Sequence, residues 1–254
     1  MMKTRFQQAN SKTTFFGHCR LGLRLITAFL CLCLLFSGPT PTSAQGGTIR
    51  FDRISIEDGL SQSTVYAILQ DRQGFMWFGT QDGLNKFDGY RFTVYKHDPD
   101  DPATISDNFI RALDEDRAGR LWIGTNGGLN RFDPRTETFT RFQHDPADPD
   151  SLSDNIVRVI YEDRTGAMWL GTEGGLNKFD PASERFTAYR HDPDVATSLS
   201  HNNVWALLED STGVMWVGTE GGGLNKFDRA GDRFTAYRHD LDDPHSLGHD
   251  DISS

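Results

Sequence analysis

The chain has 254 residues, 37% hydrophobic and 24% charged, with 36 acidic against 26 basic residues and a formal net charge of −10. Those values exclude a disordered chain and an integral membrane bundle. An acidic surface repels phosphate backbones and anionic lipid, so nucleic acid is not an expected partner.

Residues 1–44 read as a signal peptide. Lys3, Arg5, Lys12, Arg20 and Arg24 come without a single acid, an apolar run extends from Leu25 to Phe36, and Ser37, Gly38 and Pro39 lead to a small-residue cleavage site at Thr42-Ser43-Ala44. An uncleaved anchor is the rival, although a run interrupted by Arg24 is short for the roughly 20 residues of a membrane span. Cleavage removes five positive charges and moves the formal charge from −10 to −15. Cys19, Cys31 and Cys33 all lie in this segment, which leaves the mature chain without disulfides or thiolate metal sites. No small-residue box precedes Cys31 or Cys33, so a lipid anchor is not expected. The expected location is periplasmic or otherwise extracytoplasmic.

Residues 45–57 follow. Thr48 to Ile56 matches Arg91-Phe92-Thr93-Val94-Tyr95 in pattern and is predicted as the outer strand of a closing blade, without the three inner strands before it.

From residue 58 the chain repeats itself. Trp77, Trp122, Trp169 and Trp216 are spaced 45, 47 and 47 residues apart, and each opens a Trp-x-Gly-Thr segment containing Gly79, Gly124, Gly171 or Gly218. Gly-Leu-Asn follows at 83–85, 128–130, 175–177 and 223–225, then Phe-Asp at 87, 132, 179 and 227, then His-Asp at 97, 144, 191 and 239. A period in this range decides the architecture. Val157-Arg158-Val159-Ile160-Tyr161, Met168-Trp169-Leu170, Leu176-Asn177-Lys178-Phe179 and Arg185-Phe186-Thr187-Ala188-Tyr189 have β-branched and aromatic composition, giving four short strands per unit. Asp71 to Gly74, Asp116 to Gly119, Asp163 to Gly166 and Asp210 to Gly213 predict type I turns closing the first hairpin. Asp133-Pro134 and Asp180-Pro181 predict the third turn. Length differences fall in turns, at Asp88-Gly89-Tyr90 and at Gly221-Gly222-Gly223.

The predicted fold is all-β: a β-propeller of four-stranded antiparallel blades, partial, with four blades plus the start of a fifth. The blades cover about 58–104, 105–151, 152–198 and 199–246, within tandem repeats over 58–254. Leu247-Gly248-His249-Asp250-Asp251-Ile252 then repeats Leu199-Ser200-His201-Asn202-Asn203-Val204. An α/β solenoid is the alternative, against which no segment shows a helical apolar stripe. A ring of seven such units needs on the order of 330 residues, so the expectation is an N-terminal part of a longer protein.

Asp58-Gly59-Leu60-Ser61, Asp71 to Gly74, Met76-Trp77-Phe78-Gly79-Thr80 and Gly83-Leu84-Asn85-Lys86-Phe87-Asp88 together resemble the two-component regulator propeller repeat. The resemblance covers nearly all of residues 48–254. It implies seven-bladed propellers, often paired, forming the periplasmic sensor half of hybrid histidine kinases, and sometimes of diguanylate cyclases or other outputs. It further implies a membrane-linked kinase output beyond the C-terminus and allows a dimer of the full-length protein. The His-Asp pairs sit on loops, unlike a phospho-accepting histidine on a helix, and catalysis by this chain is not expected.

Features present in every unit are most simply structural. Trp77, Trp122, Trp169 and Trp216 are expected to pack between blades, and the four glycines that follow them are expected to be structural. His97-Asp98, His144-Asp145, His191-Asp192 and His239-Asp240 are expected to cap loops, and no metal or cofactor is expected. A ligand requires asymmetry, which appears at the second position of each innermost strand: Tyr66, Arg111, Arg158 and Trp205. Those side chains at a channel mouth suit stacking on sugar rings and pairing with carboxylates. Filling the taper between blades is their structural alternative. Gln81, Asn126, Glu173 and Glu220 are a second, variable set. No catalytic carboxylate pair, nucleophile elbow, phosphate loop or zinc helix is present. Extracytoplasmic sensing of a small molecule or glycan is the leading expectation, with a secreted lyase or glycan-cleaving propeller, or a protein-binding scaffold, as alternatives.

Overall fold

The computed structural model describes residues 51–253, so the predicted signal peptide at 1–44 and the opening of the 45–57 segment lie outside the described residues. Sixteen strands among the described residues form four separate four-stranded antiparallel sheets, each in chain order. The first holds β1 (Val65–Gln70), β2 (Met76–Thr80), β3 (Gly83–Phe87) and β4 (Phe92–Tyr95). The second holds β5 (Ile110–Glu115), β6 (Leu121–Thr125), β7 (Leu129–Asp133) and β8 (Thr138–Phe142). The third holds β9 (Val157–Glu162), β10 (Met168–Thr172), β11 (Gly175–Asp180) and β12 (Arg185–Tyr189). The fourth holds β13 (Val204–Glu209), β14 (Met215–Thr219), β15 (Gly223–Asp228) and β16 (Arg233–Tyr237). Strand β5 neighbours β1, β9 neighbours β5, and β13 neighbours β9, so the first strand of every sheet is innermost and the sheets stack as propeller blades.

The outer strand expected within 45–57 is not formed where the structure describes it. Phe51–Ser55 joins no ladder, and Ile56–Asp58 is one 3₁₀ turn capped by Ser55, whose Oγ accepts from the Glu57 amide. The place expected for that strand is the last blade of a closed ring and not the first blade, whose outer strand is β4.

Each blade-opening turn is built by its aspartate. Asp71 Oδ1 accepts the amides of Gln73 and Phe75 at 3.0 and 2.9 Å, while the Gly74 amide donates to Asp71 O at 2.9 Å. Gly74 has φ +93°, a left-handed conformation that glycine adopts without a Cβ penalty.

Packing between blades follows the repeated aromatics. The ring of Trp77 meets Phe132 of the second blade edge-on at 5.3 Å, Trp122 meets Phe179 of the third at 5.2 Å, and Trp169 meets Phe227 of the fourth at 5.4 Å. Three buried clusters therefore each span two blades rather than fill one. Such aromatic pairs contribute about 0.5–1.5 kcal/mol each beyond the area they bury. At Gly79, Gly124 and Gly171 the next blade's inner strand comes so close that an added Cβ would lie 2.6, 2.8 and 2.6 Å from Ile110, Val157 and Val204.

Buried polar groups are satisfied by a second repeated device. Asn130 Oδ1 accepts the Ser106 amide at 2.9 Å, Asn130 Nδ2 donates to Ser106 Oγ at 2.8 Å, and Ser106 Oγ lies 2.9 Å from Thr125 Oγ1. Ser153, Thr172 and Asn177 repeat the arrangement in the third blade. The Ser, Gly-Thr and Leu-Asn marks of the repeat are thus one network, in which no buried donor goes without a partner.

The His-Asp loops close on themselves. His144 Nδ1 lies 2.7 Å from Leu152 O, its amide donates to Asn155 Oδ1 at 2.7 Å, and Asp145 Oδ1 accepts the Ala147 amide at 2.9 Å. These aspartate oxygens are occupied by backbone amides, and no metal-holding group of His, Asp, Glu or Cys occurs among the described residues.

Candidate functional site

Each innermost strand carries one irregularity, always in the same place. Val65 faces Thr80 and Ala67 faces Gly79, leaving Tyr66 without a partner across the ladder. Arg111, Arg158 and Trp205 are left over in the same way on β5, β9 and β13. A β-bulge breaks the strict alternation of a strand and re-aims the extra side chain. The four variable positions are therefore the bulged ones.

The structure brings the two variable sets together, blade by blade. Gln81 Nε2 donates to Tyr66 Oη at 2.6 Å, Arg111 Nε donates to Asn126 Oδ1, and Arg158 Nη2 donates to Glu173 Oε1. The fourth blade departs from this pattern. Glu220 accepts from Asn203 Nδ2 and its amide donates to Asn203 O, while Trp205 Nε1 is buried without a hydrogen-bond partner in the protein.

Neighbouring blades join these pairs into a row. Tyr66 and Phe109 have ring centroids 4.9 Å apart, and the Arg111 guanidinium lies over the Phe109 ring at 4.5 Å. At the other end the Arg158 guanidinium covers one face of Trp205 at 4.3 Å. The order is aromatic, cation, cation, aromatic. Burial, and then the charge of Arg158, press the Arg111 pKa below its ordinary value, so the two cations share one electrostatic environment. Arg158 Nε is a second buried donor without a partner in the protein. Such donors are uncommon in native structures and each costs about 1–3 kcal/mol.

Phe109 belongs to the row yet was not among the sequence candidates. It stands just before β5, where the other blades have Thr64, Ile156 and Asn203, so the same variability criterion applied one residue earlier finds it.

Beside this row, Trp205, Leu208, Trp216 and Ile252 line an apolar hollow of about 580 Å³ on the outward face of the fourth blade. In the first three blades the corresponding tryptophans, Trp77, Trp122 and Trp169, pack against the following blade.

Four blades with their inner strands side by side define a β-propeller domain. A two component regulator propeller model matches residues 59–82, 104–127, 151–174 and 198–221, one match per blade. The four repeats are two-component regulator propeller repeats. The extracellular domain of a protein assigned as a hybrid two-component system from B. thetaiotaomicron is similar, with 32% identity and a TM-score of 0.67 over 74% of this chain and 26% of that one. A second extracellular domain from the same organism, assigned to a one-component system, has 25% identity and a TM-score of 0.61 over 74% of this chain and 27% of that one. A histidine kinase of Formosa agariphila is 49% identical over 63 residues, 25% of this chain and 5% of the kinase. The chain thus spans about a quarter of the solved relatives and a small part of the kinase. Virginiamycin B lyase from Staphylococcus aureus, at 14% identity and a TM-score of 0.52 over 70% of this chain and 56% of the lyase, shares the fold alone.

Proposed function

We propose that these blades form the extracytoplasmic ligand-sensing part of a two-component sensor, and that the ligand, a small molecule or glycan, is taken by the bulged row Tyr66, Arg111, Arg158 and Trp205. The observation that carries this is the contrast between a bulge placed identically in four blades and the four different side chains it presents. A bulge kept in every blade that carries a different side chain in each, beside the variable set Gln81, Asn126, Glu173 and Glu220, supplies the asymmetry a ligand requires. Similarity to extracellular domains of two-component systems and the signal-like residues 1–44 support export and a membrane-linked kinase output, and a dimer of the full-length protein is part of the same proposal.

Thermal-shift screening of the full chain against a panel of oligosaccharides and small metabolites tests the proposal. A compound that raises the melting temperature of the parent but not of Arg158→Ala and Trp205→Ala supports it. Shifts that persist unchanged in both variants would place the ligand elsewhere. Turnover of any panel member would favour the enzymatic alternative.

A further inference from the structure

We infer that the ligand of the bulged row is an acidic sugar whose carboxylate is seated at Arg111; this rests on the sensing function proposed above and specifies its chemistry. The two arginines of the row are not equivalent. Arg158 is tied to a carboxylate, Glu173, and its guanidinium is further covered by the indole of Trp205. Arg111 is tied at Nε to a neutral amide, Asn126, which is its one hydrogen bond among the described residues. Its Nη donors are therefore unused by the protein, on a partly buried side chain whose guanidinium lies over Phe109.

Charge around the row is graded in the same sense. Glu220 and Asp251 line the small cavity at the Trp205 end, which disfavours an anion there. Asp107, in the loop that leads into β5, already accepts the Phe109 amide at 2.7 Å. Burial and then the charge of Arg158 work against the Arg111 cation, Glu173, Tyr66 and Asp107 offset them only in part, and an incoming carboxylate relieves the remainder. A guanidinium offering two parallel N–H groups matches a carboxylate in geometry as well as charge. Tyr66, nearly half exposed beside Phe109, supplies a ring face and a hydroxyl for the rest of a sugar.

Isothermal titration of the full chain with glucuronate and galacturonate, and with glucose and galactose as neutral counterparts, tests the inference. Binding of an acid at least tenfold tighter than its neutral counterpart is expected, weakening as ionic strength rises. Arg111→Met should lose at least about tenfold in affinity for the acid, with partial recovery in Arg111→Lys. Asn126→Asp keeps Arg111 but gives it a carboxylate partner, as Glu173 gives Arg158, and should weaken acid binding to a similar degree. That variant guards against misfolding of Arg111→Met, because the third blade already accommodates an acid at this place. Equal affinity for acid and neutral sugar would overturn the carboxylate seat while leaving the sensing row intact. Acid binding unaffected by both Arg111→Met and Asn126→Asp, or no binding of either acid, would also overturn it, with the sensing function then judged separately by the wider thermal-shift panel.

Discussion

Trp122 Nε1 donates a 2.8 Å hydrogen bond to Asp116 Oδ2, and both side chains are buried. The other oxygen of Asp116 accepts the amides of Ala118 and Arg120 at 2.9 Å each. One carboxylate therefore closes the first turn of the blade and fixes the indole that packs against the next blade. Asp71 with Trp77, Asp163 with Trp169 and Asp210 with Trp216 repeat the bond at 2.8, 2.8 and 2.9 Å.

Asp116→Ala should destabilise the chain by about 2–4 kcal/mol, because it strands a buried indole N–H and two turn amides together. Urea denaturation at neutral pH measures this, and a loss below about 1 kcal/mol would show that the bond carries little. Burial works to raise the Asp116 pKa, but the hydrogen bonds from Trp122 and Arg120 outweigh it and hold the carboxyl below its usual range. The pKa is lower in the folded than in the unfolded chain, so this contribution is present at neutral pH and is lost as pH falls below about 4.

A ladder of arginines crosses the turns on the same end of the blades. Arg72 Nη1 donates to Arg117 O at 2.7 Å, and Arg117 donates to Arg164 O at 2.8 Å and Asp163 O at 2.9 Å. Arg164 continues to the carbonyls of Asp210 and Ser211, and there the ladder stops, since Ser211 holds the next place. Arg117→Ala should cost about 1 kcal/mol, as expected of an exposed charged contact. Arg117→Lys should not recover it, because a single ammonium cannot serve two carbonyls as a planar fork does. Glu162 accepts the backbone amide of Arg117 at 2.8 Å, a bond that survives either change. Arg117 Nε also lies 3.9 Å from Glu162 Oε2, so a thermal double-mutant cycle of Arg117→Ala with Glu162→Ala should show a coupling of at most about 1 kcal/mol, and a larger value would contradict so exposed an ion pair.

The blades were legible in the sequence because four copies of Trp, Gly-Thr and Gly-Leu-Asn recur in register, and strands, hairpins and interblade packing follow from local pattern. The bulge was not legible. Nothing in Val-Tyr-Ala or Val-Arg-Val announces an extra residue, because the shift is set by pairing with Gly79 or Gly171 across the ladder. Variability alone picked out Tyr66, Arg111, Arg158 and Trp205, whereas their pairing with Gln81, Asn126 and Glu173 appears only when residues fifteen apart meet at one end of a hairpin. The segment before the first repeat shows the complementary case, since its residues 51–55 lie outside any ladder. Its pattern was that of a strand, and a pattern does not provide a pairing partner.

The glycine of each Gly-Thr pair makes the close approach of blades possible. At Gly124 an added Cβ would lie 2.8 Å from Val157 O and 2.9 Å from Val157 Cγ1, both on the next blade's inner strand. Gly124→Ala should cost about 1–3 kcal/mol as overpacking against a backbone that cannot yield without moving a blade. Gly74→Ala is the comparison, since the space there is open and only the positive φ opposes it, at about 1–2 kcal/mol. Hydrogen exchange separates the two: Gly124→Ala should lower protection along β9, and Gly74→Ala should affect its own hairpin. Equal protection of β9 in both variants would mean that the blades tolerate the methyl group.

Asp114 works against the fold at neutral pH. It stands on β5 where the other inner strands have Leu69, Tyr161 and Leu208, and Leu69 and Tyr161 both pack into interblade clusters. Burial raises its pKa to about 6, and the carboxylates of Glu162 on the facing strand and of Asp116 push the same way, against the amides of Glu115 and Glu162. The pKa is higher in the folded than in the unfolded chain, so the stabilising contribution of the protonated acid is fully present below about pH 4 and is lost as pH rises through about 6. Asp114→Asn, which keeps the shape without the charge, should therefore raise stability at pH 7 by about 1 kcal/mol after allowance for partial exposure, and leave it nearly unchanged at pH 4. Asp114→Leu should do the same and add apolar contact with the third blade. Urea midpoints of parent and variants across this range provide the check, and a constant difference between them at every pH would remove Asp114 as the cause. The acid-labile Asp116 and the alkali-penalised Asp114 lie two residues apart, so the parent should be most stable between about pH 4 and 6, where the first is still ionised and the second is still largely protonated.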